Sequence, residues 1–96
     1  MASAVLTIPA GTSATYELAS NALFNASAVP LSVMVNPNGG TVTVTVKVAP
    51  DGSYQEDSDG ALAGDITAVK FAYLNSPVYS IKFTAATETA TVEINH

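Results

Sequence analysis

The sequence predicts an all-β fold: a single antiparallel β-sandwich or barrel of about seven short strands, with no significant helix. Three features of the 96-residue chain support this prediction. Apolar and polar side chains alternate with period two in several short segments, as they do in half-buried strands. Valine and threonine, which are β-branched and favour strands over helices, are abundant in these segments. Proline, glycine and asparagine separate the segments and indicate short turns between them.

A chain of this length holds one domain of ordinary size, so we expect residues 1–96 to form a single β-sandwich domain. The predicted strands follow one another at short intervals, at residues 4–8, 13–18, 31–36, 41–48, 67–73, 79–84 and 90–95. Residues 1–9 end at a proline and are rich in alanine and serine, and we also consider them as a mobile arm that adds a strand to a neighbouring subunit.

The fourth predicted strand, residues 41–48, has the clearest pattern in the chain. Successive side chains of a strand point to opposite faces, so its valines form one apolar surface and its threonines, with Lys47, form a polar one. We assign the valine face to the core. The turn before this strand consists of residues that tolerate positive φ, which predicts a hairpin over residues 31–48. Those turn residues are Pro37, Asn38, Gly39 and Gly40.

The last three predicted strands each carry an apolar set of alternate residues, which we assign to the core. The sets are Thr67, Val69, Phe71 and Tyr73; Tyr79, Ile81 and Phe83; and Ala90, Val92 and Ile94. This assignment places Tyr73 and Tyr79 in the core, as the second strand does for Tyr16. Tyr54, between predicted strands, is the tyrosine expected to be exposed.

The charge of the chain excludes two classes of partner. Its formal net charge is −5, with three lysines and no arginine. Nucleic acids and anionic membranes both require clusters of basic side chains, so neither is an expected partner. Charged residues make up only 11% of the chain, against about 25% in ordinary soluble domains. Either uncharged polar residues solvate a monomer, or part of the surface is covered in an assembly; we favour the assembly.

The sequence offers no convincing set of catalytic residues, and we predict that the protein is not an enzyme. It contains no cysteine, and its single histidine, His96, is the last residue, where a general base would be poorly positioned. No phosphate-binding glycine motif is present. The first residues lack a basic segment followed by an apolar run, and no stretch has the length of a membrane span, so we expect synthesis in the cytoplasm.

An acidic loop is predicted at residues 51–65, where carboxylates alternate with glycines. Such a loop is able to wrap a hard cation such as Ca²⁺. The spacing does not match a helix–loop–helix calcium motif, since Gln55 and Ile66 occupy the first and last ligand positions. We therefore favour a solvated, mobile loop and no bound cofactor, and keep a calcium site as the alternative. The candidate ligands are Asp51, Glu56, Asp57 and Asp59.

The last third of the chain, residues 65–94, carries the runs 67–71, 78–86 and 89–94, rich in alanine, threonine and alternating apolar residues. This region resembles the closing hairpin of small all-β virion proteins of tailed bacteriophages. The resemblance implies a homotrimer or ring without catalytic residues that decorates or cements the capsid, or builds part of the neck or tail. Its partners would be further copies and a major capsid or other virion protein, in a virion made in the host cytoplasm. The alternative is an Ig-like adhesin or carbohydrate-binding module, with Ca²⁺ in the acidic loop.

Overall fold

The computed structural model describes residues 3–17, 31–74 and 78–95, and it confirms the all-β prediction. The described residues form two antiparallel sheets packed as a sandwich, without closing into a barrel, and contain no helix that could cross a membrane. The seven strands are β1 (Ser3–Ile8), β2 (Ser13–Glu17), β3 (Leu31–Asn36), β4 (Val42–Lys47), β5 (Lys70–Leu74), β6 (Ser80–Ala85) and β7 (Ala90–Asn95).

Consecutive strands alternate between the two sheets. The odd-numbered strands form the four-stranded sheet in the order β1-β7-β3-β5, and the even-numbered strands form the three-stranded sheet in the order β2-β6-β4. Every connection therefore crosses from one sheet to the other, and every paired strand comes from a distant part of the sequence. β1 illustrates this arrangement, because Ser3–Ile8 pairs along its whole length with β7. Residues 3–8 of the proposed arm are thus a paired strand of the sandwich.

The predicted hairpin over residues 31–48 is wrong, since β3 and β4 lie in different sheets. The turn residues themselves behave as expected: Asn38 and Gly39 have positive φ values of 52° and 93°. The amide of Gly40 donates to the carbonyl of Pro37 at 3.0 Å, which closes the turn. Positive φ at two successive residues reverses the chain, but it does not decide whether the two strands pair with each other or face each other across a core.

The core lies between the inner faces of the two sheets. On the three-stranded sheet, the valine face of β4 contributes buried Val42 and Val44, as predicted, next to the fully buried Phe83 of β6. On the four-stranded sheet, β7 contributes the predicted set of Ala90, Val92 and Ile94. Each sheet thus buries one alternate set of side chains, which is the arrangement that period-two patterning predicts.

The loop after β4 is anchored to the sandwich, in contrast to the solvated, mobile loop that we predicted. It meets β4 at two isolated bridges, Gln55 with Val46 and Ile66 with Val42. Between the bridges, Leu62 inserts into the core and retains 7% of its exposure. The loop therefore covers the outer edge of β4, which protects that edge from pairing with another chain.

Candidate docking face

The outer face of the four-stranded sheet presents two rows of side chains that cross all four strands. Paired residues of neighbouring strands lie on the same face, so the register fixes the order within each row. Taken in the order β1-β7-β3-β5, the first row is Ser3, Asn95, Ser32 and Tyr73, and the second is Val5, Glu93, Met34 and Phe71. We call these eight residues the docking face.

The docking face exposes large apolar side chains. Val5, Phe71 and Tyr73 keep 66%, 65% and 66% of their exposure, and Val69, just before β5, keeps 53%. The face contains a shallow groove of about 470 Å³, which all eight residues line. The two neighbouring exposed aromatic rings of Phe71 and Tyr73 are typical of a site that binds another molecule.

The exposure of Phe71 and Tyr73 reverses our prediction that they belong to the core. β5 has two apolar sets of alternate residues, and the bulkier set faces outward. The register explains the choice: Ala72 pairs with Val33 and Leu74 pairs with Leu31, and both partners are buried. Ala72 is accordingly buried and Leu74 packs against the core. Alternation correctly separates the two faces of this strand, but it does not determine which face points to the core.

Charge is sparse on the docking face. Glu93 is its single charged residue. The three lysines of the chain lie elsewhere: Lys47 and Lys82 on the three-stranded sheet, and Lys70 on β5 with the parity of the inward-facing Ala72. The face therefore combines aromatic and aliphatic side chains with three uncharged polar residues and one carboxylate near its middle.

A second group of interacting side chains lies on the outer face of the three-stranded sheet. The Nζ of Lys47 is 5.0 Å from the ring centroid of Tyr54, and the Nζ of Lys82 is 5.4 Å from the same ring. Lys47 also lies 5.3 Å from the ring of Tyr79. Tyr54 is hydrogen-bonded to Ser80 at 2.8 Å. These contacts are cation–π interactions that hold the loop against the sheet, so Tyr54 is half-buried and our prediction of an exposed residue is wrong.

The rest of that outer face is polar. Thr43 of β4 pairs with Thr84 of β6, which pairs with Ser13 of β2, and the Ser13 and Thr84 hydroxyls are hydrogen-bonded at 2.8 Å.

On the inner face of the same sheet, Tyr16 of β2 lies beside Ile81, and burial raises the pKa of its phenol.

The four candidate calcium ligands are exposed and do not converge. The Glu56 carboxylate accepts a hydrogen bond from the amide of Gly64, and Asp57 Oδ1 accepts one from the amide of Asp59 at 3.3 Å. Both side chains thus stabilise the loop backbone. Across residues 3–17, 31–74 and 78–95, no three histidine, cysteine or acidic side chains lie close enough to hold a metal ion. Calcium binding through Asp51, Glu56, Asp57 and Asp59 stays a prediction.

No family model, characterised protein or solved structure matches this chain. His96, Leu18 and residues 1–2 of the proposed arm lie outside the described residues. The docking face is therefore the strongest candidate site on the geometry alone.

Proposed function

We propose that the protein is a non-enzymatic structural subunit of a tailed-bacteriophage virion, a capsid decoration or cement protein that stabilises junctions between capsomers. The observation that supports this proposal is the exposed apolar docking face, with Phe71 and Tyr73 at one side and Val5 at the other. Burial of such a face against the capsid contributes about 25 cal/mol per Å² of apolar surface. A few residues supply most of the binding energy in many protein interfaces, and tyrosine is enriched among them.

The proposal includes self-association into a homotrimer, with the docking face turned toward a major capsid or other virion protein. The sparse charge of the chain supports a covered surface, since 11% of its residues are charged, against about 25% in ordinary soluble domains. Light scattering on the purified protein tests the trimer. A mass of one chain at micromolar concentration would contradict this part of the proposal.

Particles of the phage that encodes the chain provide the direct test of decoration. Particles grown without the gene are mixed with purified protein, and particle-bound protein and particle melting temperature are measured. Wild-type protein should bind and raise the melting temperature, because a ligand of the native state stabilises it. The double variant Phe71→Ser/Tyr73→Ser should bind at least about tenfold more weakly, the effect expected on losing two aromatic anchors.

Val48→Ser is the matched control for this experiment. Val48 is also a large exposed apolar residue, at 75% exposure, but it follows β4 on the other sheet. This variant should bind particles as the wild type does. Equal weakening by both changes would point to a general loss of apolar surface and would contradict the docking face. Particles whose composition and stability are independent of the gene would contradict the virion role.

One observation favours a carbohydrate-binding module as the second candidate. Phe71 and Tyr73 lie on the same face of β5, two residues and so about 7 Å apart. Two exposed rings at this spacing are able to stack against adjacent sugar units. A titration with soluble oligosaccharides, monitored by the ring resonances of both residues, separates the candidates. Saturable shifts that vanish in Phe71→Ser/Tyr73→Ser would favour the module, and a calcium-dependent rise in melting temperature would support the calcium site that accompanies it.

A further inference from the structure

We propose that Glu93 makes the docking face selective for a protein surface that presents a lysine or arginine among apolar residues. This inference rests on the proposed docking function and adds the chemistry of the partner. The occupant to which we commit is a different protein from this chain, and a second copy of the chain is an outcome of the test.

The position of Glu93 supports the inference. Glu93 lies on β7, an interior strand of the sheet, and pairs with Val5 on one side and Met34 on the other. Phe71, paired with Met34, completes the row. A partner that covers the exposed apolar residues at both ends of the row must therefore also cover the carboxylate between them.

None of the three lysines, all of which lie among residues 3–17, 31–74 and 78–95 that the structure describes, is placed to pair with Glu93. Lys47 and Lys82 lie on the three-stranded sheet, where both contact the ring of Tyr54. Lys70 has the inward parity of β5. Residues 18–30 contain no lysine or arginine, so that segment brings no positive charge to the face either.

Covering an unpaired carboxylate is strongly unfavourable, because the charge loses its hydration and gains nothing in return. A partner with an ammonium or guanidinium group at this point restores the lost interaction and forms a charge-assisted hydrogen bond. A neutral apolar partner is penalised, and an acidic one is penalised further. Glu93 thus discriminates among apolar surfaces that Val5, Phe71 and Tyr73 alone would accept.

The same argument disfavours a second copy of the chain docked through the same face. A two-fold contact brings identical patches together, so it would place the two copies of Glu93 close to each other within one apolar interface. Like charges at such a distance oppose association, and the face holds no lysine to offset them.

The test is a nuclear magnetic resonance titration of the intact protein with three capped tripeptides. Their outer residues are leucines, and their central residue is lysine, glutamine or glutamate. We expect the lysine peptide to shift the resonances of Glu93, Phe71 and Tyr73, with a Kd about threefold or more below that of the glutamine peptide. The glutamate peptide should bind most weakly. In Glu93→Gln, the lysine and glutamine peptides should bind equally.

The outcomes separate this inference from the proposed function. Equal binding of the lysine and glutamine peptides to the wild-type face would overturn the selectivity and leave the docking face in place. Absence of shifts at the face with every peptide would count against the face itself and so against both proposals. Glu93→Gln is conservative at an exposed position, and circular dichroism checks its fold. If light scattering gave a larger mass in solution for Glu93→Gln than for the wild-type protein, a second copy of the chain would be the occupant. That result would overturn the inference.

Discussion

The hydroxyl of Tyr54 and the Oγ of Ser80 are hydrogen-bonded at 2.8 Å, and this contact joins the loop after β4 to the start of β6. Ser80 points to the outer face of its sheet, in the same row as Lys47, yet it is fully buried because the loop covers it. No buried side-chain nitrogen or oxygen among the described residues lacks a hydrogen-bond partner. The pair therefore fixes the loop and satisfies a buried hydroxyl at once.

Tyr54→Phe should lower the free energy of unfolding by about 1–2 kcal/mol, because it leaves the buried Ser80 hydroxyl without its partner. The ring remains, so the cation–π contacts with Lys47 and Lys82 are retained. Urea denaturation measures the change. Ser80→Ala in the same chain provides the double-mutant cycle: with the hydroxyl gone, Tyr54→Phe should cost clearly less. Equal costs in both backgrounds would show that the two hydroxyls do not interact in solution.

Leu62→Ala tests whether the acidic loop is anchored. Leu62 is buried beside Val44, Val46 and Leu74, where it borders a small cavity of about 60 Å³. We expect a loss of about 2–3 kcal/mol in unfolding free energy, the lower part of the range for leucine truncation in a core.

Asp59→Ala, at an exposed position of the same loop, is the control for Leu62→Ala. It should stay within about 0.5 kcal/mol of the wild type. A Leu62→Ala cost as small as that of the control would mean that the loop leaves the core freely, as the sequence led us to expect.

Period-two patterning predicted the strands well, because alternation depends only on local sequence. Each of the seven strands overlaps a predicted segment, although β5 begins at Lys70 and not at Thr67. The core assignment was correct for Val42, Val44 and the inner face of β7, and wrong for the exposed Val48. What local pattern does not contain is the identity of the partner strand. The turn at Asn38 and Gly39 looks the same whether β3 and β4 pair or face each other, so the hairpin prediction failed.

The same limitation explains the candidate site. Phe71 and Tyr73 were assigned to the core because they continue an alternating apolar set with Val69, whereas pairing with β3 turns Ala72 inward. The strongest sign of a docking face in the sequence was an excess of large apolar residues: β5 carries apolar residues on both faces, and a two-layer sandwich buries only one face of a strand. Glu93 could not be recognised from the sequence as part of a binding site, because a single glutamate on the polar face of a strand is common.

Gly40→Ala tests the turn that carries the chain between the sheets. A Cβ at position 40 would lie 2.9 Å from the Cβ of Glu88 and 3.0 Å from its amide nitrogen. Because one of these atoms belongs to the backbone, relief requires the 86–89 turn to move. We expect a loss of about 1–3 kcal/mol in unfolding free energy, as for other overpacked sites.

Gly39→Ala separates steric crowding from backbone strain. A Cβ at position 39 meets no atom within 4 Å, but φ there is +93°. This variant should lower the free energy of unfolding by about 1 kcal/mol through backbone conformation alone.

Glu88→Ala tests which part of residue 88 opposes Gly40→Ala. In this background the loss of unfolding free energy caused by Gly40→Ala should not change, since alanine keeps both the Cβ and the amide nitrogen of residue 88. Rescue by Glu88→Ala would place the conflict in the glutamate side chain instead.

Tyr16 gives the protein an alkaline dependence of stability. Burial raises the pKa of its phenol above the ordinary value of about 10. The folded state therefore holds the phenolic proton more tightly than the unfolded chain does. This contribution is complete below about pH 10 and is lost as the pH rises from there through the folded-state pKa. Urea denaturation between about pH 9 and 11 should show a steeper decline for the wild type than for Tyr16→Phe. Parallel curves for the wild type and Tyr16→Phe would contradict the assignment.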